Sequence, residues 1–116
     1  MRHWDTLAEY DRNGLHIVVD KSWEDISPRD LFDDSVTDID EICRKIDNYD
    51  LDWFMLRVRA MVDGAVLGDS IVGGFLYEDA REVLTDGTAE DLIADAVAAA
   101  KAAIPEFIKN LQAVTI

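Results

Sequence analysis

Apolar residues alternate with polar ones in some stretches of this chain and recur about every three or four residues in others, and the two rhythms predict different elements. Residues 51–62, LDWFMLRVRAMV, alternate: Phe54, Leu56, Val58, Ala60 and Val62 fall on one face, Trp53, Arg57 and Arg59 on the other. That is a long strand. Asp63-Gly64 is a two-residue hairpin signal, and AVLGDSIVGGFLY (65–77) returns as its partner, with glycines that mark a bulge or a close backbone approach. LHIVVD (15–20) is short and β-branched and predicts a further strand with Ile17 and Val19 on one face.

Helical spacing dominates elsewhere. Trp4, Leu7 and Ala8 predict a short helix over 3–11, stopped by Asn13-Gly14. Ser27-Pro28-Arg29-Asp30 supplies a capping hydroxyl, a proline for the first helical position and a first-turn acid, so one or two turns begin there. Ile39, Ile42, Cys43 and Ile46 make an apolar face over Thr37–Asp47, with Asp40/Arg44 and Glu41/Lys45 as i,i+4 pairs. The last element is a long helix from Thr88, capped by that hydroxyl with Asp91 in the reciprocal position, and striped by Leu92, Ile93, Val97, Ala100, Ile104, Ile108 and Leu111. Pro105 should kink or divide it. The expected fold is α+β in the order α-β-α-β-β-α: a three-stranded antiparallel sheet whose Phe54/Val58/Val62 face is covered by the C-terminal helix.

At 116 residues the chain has the length of a single compact domain, and 49% hydrophobic residues suffice for a core. Charge changes the picture most. Eleven basic residues against 25 acidic ones leave −14, which opposes direct binding to nucleic acid or anionic membranes and favours partners rich in Lys and Arg. The opening MRHWDTLAEYD has no apolar signal core, and no apolar run is long enough to span a bilayer. The lone cysteine excludes an intrachain disulfide, so a reducing cytoplasm fits.

Chemical motifs are sparse. Gly68-Asp69-Ser70-Ile71 resembles the nucleophile block of GDSL-type hydrolases, but that chemistry needs a histidine late in a longer chain, and His3 and His16 both precede Ser70. A bulged strand accounts for the tetrad. Neither histidine has a nucleophile or metal-ligand spacing around it. Asp33-Asp34-Ser35-Val36-Thr37-Asp38-Ile39-Asp40-Glu41 lacks the glycine and spacing of a calcium loop, and Gly73-Gly74 is followed by no phosphate-cradling helix. No cofactor, metal or catalytic residue is expected. Cys43, on the apolar face of its helix, reads as core. Trp53 is the aromatic best placed for contact, beside Arg57 and Arg59 away from the core face; those three residues could also line a pocket.

The acids themselves form two clusters. Between Asp20 and Asp52 stand twelve acids against four bases, and Glu78, Asp79, Glu82, Asp86, Glu90, Asp91 and Asp95 are opposed only by Arg81. Some carboxylates suit helix N-termini or serve solubility. Others could imitate DNA phosphates on the basic groove of a nucleic-acid-handling protein. The residues expected at such a contact are Asp30, Asp33, Asp34, Asp38, Asp40, Glu41, Asp47, Glu78, Asp79 and Glu82, with Trp53.

DIDEICRKID and DWFMLRVRAMVDGAVLGDSIVGGFLYEDAREVLTDGTAEDLI together resemble small accessory proteins of tailed phages and prophages, across about residues 15–113. That resemblance implies a non-enzymatic inhibitor of host defence, of the anti-CRISPR or anti-restriction kind and in some cases a DNA mimic, acting in the host cytoplasm on a basic nucleic-acid-binding protein. The alternatives are a domain that binds or sequesters a small nucleotide signal, and a structural or assembly accessory protein. Homodimerisation stays open.

Overall fold

The first element is a strand, not the helix that its spacing predicts. The computed structural model describes residues 2–32 and 38–114. In it β1 (Asp5–Arg12) and β2 (Leu15–Trp23) form an antiparallel hairpin across Asn13-Gly14, both with positive φ (53° and 82°), the twist a two-residue turn needs. A bulge between Thr6 and Ala8 shifts the register, and Leu7 and Tyr10 both pack against the core. The bulge turns a strand's period of two into a local spacing of three, which imitates a helix.

The remaining order is α1 (Pro28–Leu31), α2 (Ile39–Asp47), β3 (Asp52–Val62), β4 (Ala65–Tyr77), a 3-10 helix (Ala80–Leu84) and α3 (Thr88–Gln112). The sheet therefore has four strands, not three, in the sequential antiparallel order β1-β2-β3-β4. Asp63-Gly64 closes the second hairpin with the same pair of positive φ angles, 48° and 83°. Ser27 caps α1 as expected, its hydroxyl accepting from the Arg29 backbone N–H.

α3 crosses one face of the sheet. Ala89, Leu92, Ile93, Ala96 and Ala100 close over Ile17, Val19, Phe54, Leu56, Val58 and Ala60, and Ala80 and Val83 of the 3-10 helix complete the core. The contact with β4 is backbone to backbone. A Cβ on Gly68 would lie 2.3 Å from the Ala96 carbonyl oxygen and 2.4 Å from the Ala100 nitrogen, so only glycine fits. The extra residues in β4 fall opposite Phe54/Leu56 and Ala60/Met61; the first bulge contains Gly74, at φ 79°, as the paired glycines suggest.

Three local expectations are corrected. The cap of α3 is Gly87, and Thr88 is the first helical residue; the Asp86 carboxylate accepts from its N–H at 2.9 Å. Pro105 does not divide the helix, which is a single element to Gln112. The carbonyl deprived of its bond is that of Lys101, an exposed residue, where water can satisfy it. Cys43 is half-buried rather than core, since α2 contains no buried residue and lies beside α1 at the periphery. The molecule is elongated, 60 × 25 × 25 Å with a radius of gyration of 17.4 Å, against about 13 Å for a compact chain of about this size.

Candidate acidic interface

Most of the exposed acids of the first cluster lie on or next to the two small helices, with Asp25 and Asp50 in the connecting segments. Asp30 is in the first turn of α1, Asp38 stands at the N-cap position of α2 with no capping bond from its side chain, Asp40 and Glu41 occupy the first turn of α2, and Asp47 is its last residue. Asp33 and Asp34 lie outside the described residues. In the second cluster, Glu78 and Asp79 precede the 3-10 helix and Glu82 lies within it, all exposed.

The register of β3 and β4 brings the facing parts of the two clusters, Asp47 to Asp52 and Glu78 to Glu82, to one end of the sheet, whereas Glu90 pairs with Arg12 beside the Asn13-Gly14 turn at the other end. Asp52 pairs with Tyr77, and the Asp52 carboxylate also accepts from the Ala80 backbone N–H at 2.9 Å. Asp47 and Asp50 thus lead into the same sheet end from which Glu78 and Asp79 depart. Local bases neutralise only part of this charge. Asp40 pairs with Arg29, and Glu41 with Arg44 at i,i+3 rather than with Lys45; the Arg44 hydrogen bonds hold the Glu41 carboxyl below its usual range. Asp79 accepts from the Arg81 backbone N–H at 2.9 Å, which caps the 3-10 helix and leaves the charge in place. Among the described residues, no basic side chain lies within ion-pair distance of Asp30, Asp38, Asp47, Glu78, Asp79 or Glu82.

Trp53 is not an exposed contact. It is 4% exposed, its indole N–H donates to the Ile26 carbonyl at 2.9 Å, and its ring lies 5.7 Å from that of Phe32. The segment after β2 therefore covers it. Trp53 instead helps line a cavity of about 780 Å³ with Phe54, Trp23, Tyr49, Arg2 and Lys21 among others, a volume within the range of small-molecule sites. Trp23 is 60% and Tyr49 83% exposed. Tyr49 has φ 62°, an uncommon conformation for a bulky residue. The charged groups that line the cavity are paired, Arg2 with Asp25 and Lys21 with Asp52 at 3.9 Å, and His3 is hydrogen-bonded to Asp5 at 2.8 Å.

Arg57 and Arg59 do not line that cavity. They converge on Asp20, which is 1% exposed. One Asp20 oxygen accepts from Arg57 Nη2 at 2.8 Å and from Arg59 Nη2 at 3.0 Å, while Thr6 Oγ1 donates to the other at 3.0 Å. The Arg57 guanidinium also lies 4.1 Å from the Trp4 ring, a cation–π contact. Asp20 counts among the acids of the first cluster by sequence, yet it adds nothing to an acidic surface. Its role becomes visible only once β2 and β3 are in register, with Asp20 opposite Arg57 and Val18 opposite Arg59.

The tetrad at Gly68 is structural where it can be read: Gly68 seats α3, and Ser70 lies opposite Val58 in the sheet. His16 is hydrogen-bonded to Asp11 and Glu9, each at 3.0 Å. Among the described residues, no cluster of three or more His, Cys, Asp or Glu side chains could hold a metal ion, and no helix is long and apolar enough to cross a membrane. No family model, curated protein or solved structure matches the chain.

Proposed function

We propose that this protein is a non-enzymatic, phage-encoded inhibitor that seats its acidic sheet end on the Lys/Arg surface of a nucleic-acid-handling host defence protein, such as a CRISPR effector or restriction subunit. The observation that carries this reading is the meeting of the end of the first acidic cluster with the start of the second at the Asp52/Tyr77 end of the sheet, with Asp47, Glu78, Asp79 and Glu82 exposed and, among the described residues, outside ion pairs. Exposed carboxylates outside ion pairs keep their field available to a partner, and that field competes with nucleic acid for the same groove. The host cytoplasm is the site of action under this reading.

The test is capture of host-lysate proteins on the immobilised chain, eluted with rising salt. Exposed charge pairing is screened beyond about 10 Å at 0.1 M salt, so the partner should leave as salt rises. A retained nuclease subunit that is lost when Asp47, Glu78, Asp79 and Glu82 are all changed to Lys supports the reading. Retention by that variant, or no specific retention by either, rejects it.

The cavity favours a second reading, a small planar ligand held between Trp23, Tyr49 and Trp53. Aromatic walls suit a nucleobase, and Arg2 and Lys21 could meet its phosphate. Titration with a nucleotide panel should then change tryptophan emission, and an unchanged spectrum rejects it.

A further inference from the structure

The second half of α3 is only partly covered, with Ile104 and Phe107 half-buried and Ile108 and Leu111 exposed. After Ala100 no described residue is buried, yet Ile104, Phe107, Ile108 and Leu111 succeed one another at i, i+3, i+4 and i+7 and so share one helix face. Ile108 is 47% and Leu111 57% exposed. A helical stretch of about a dozen residues is marginal in water by itself, and an apolar stripe along it is a surface built to be covered.

Charge selects the occupant. In a chain with 25 acids, the segment from Lys101 to Val114 has only Glu106, against Lys101 and Lys109. At about 100° of turn per residue, Glu106 lies roughly 200° around from Ile104, on the far side of the helix from the stripe. A second copy meeting this protein at its acidic sheet end would set carboxylates against carboxylates; along this stripe it would not. The spacing is also self-complementary. Reversed about a two-fold axis between Phe107 and Ile108, the stripe sets Ile104 of one copy beside Leu111 of the other and Phe107 beside Ile108.

From this we infer that the protein is a homodimer in which the second halves of two α3 helices pack antiparallel through Ile104, Phe107, Ile108 and Leu111. The acidic sheet ends lie outside that contact, so the inference is independent of the function proposed above. Light scattering of the full chain across the micromolar range should give twice the 13.0 kDa chain mass. Ile108→Glu puts a carboxylate on the stripe and should give the monomer mass at every concentration, with the near-ultraviolet dichroism of the buried Trp53 retained as evidence of fold. Lys109→Glu, on the opposite side, should leave the dimer intact. In a Cys43→Ser background, Ile108→Cys should cross-link to its own copy on oxidation, whereas Leu111→Cys should not, because antiparallel packing holds those two positions too far apart. A wild-type monomer throughout the range, a dimer that survives Ile108→Glu, or cross-linking at Leu111 but not at Ile108 overturns the inference.

Discussion

The two faces of the sheet are closed by different physics. Under α3 the contact is apolar and close enough to exclude even a methyl group at Gly68, with Phe54, Leu56 and Val58 wholly buried. On the opposite face one buried carboxylate is shared by two arginines and a threonine, and Trp4 lies against Arg57. The first face gains from removing hydrocarbon from water and tolerates changes that keep its volume. The second depends on charge balance, where losing one partner leaves the others uncompensated.

Truncation on the apolar face should have the largest effect. Phe54→Ala opens a cavity at the centre of the Phe54/Phe75/Tyr77 cluster and should cost about 4 kcal/mol in denaturant unfolding. Asp20→Ala should cost about 3 kcal/mol, because it strands two half-buried guanidinium groups. Asp20→Asn keeps the hydrogen-bonding shape without the charge and should fall between that variant and wild type; a stability equal to wild type for Asp20→Asn would show that charge is not what holds this face. Gly68→Ala should cost about 2 kcal/mol by forcing α3 away from β4, while Ser70→Ala in the same strand should be nearly neutral.

The smallest effect lies at the margin of the polar face and depends on pH. Hydrogen bonds from His16 to Asp11, then to Glu9, raise its pKa above the usual 6.5. The sign follows from the bound proton: the folded state holds it more tightly than the unfolded chain, so the contribution is present below 6.5 and is lost as pH rises through the folded value. Proton NMR titration of His16 should place its midpoint above that of an unstructured histidine. His16→Gln should remove this step from the pH dependence of unfolding.

The sequence made the apolar face more legible than the polar one. Alternation through 51–62 places Phe54, Leu56, Val58 and Ala60 in the core, Asp63-Gly64 sets the hairpin, and the stripe that begins with Leu92, Ile93 and Ala100 identifies the covering helix. Those signals are local. β1 was hidden because its bulge replaces alternation with a spacing of three, although Asn13-Gly14 is a hairpin signal of the same type as Asp63-Gly64. Asp20 between Arg57 and Arg59, the burial of Trp53 beneath Ile26 and Phe32, and the convergence of the acidic clusters all join residues far apart in the chain. Such arrangements exist only after strands are paired, which is why charge counting finds the acids of the candidate interface but not their common location.

The sequential strand order also shapes how the chain reaches this fold. Each hairpin closes through a two-residue turn and can form on a timescale of about 1–10 μs. Pairing β2 with β3 instead requires closure of the 28 residues from Glu24 to Leu51, a slower event with a larger entropic cost. The folding transition state should therefore contain two preformed hairpins meeting at their β2/β3 seam, with α3 docking across both as the step that commits them.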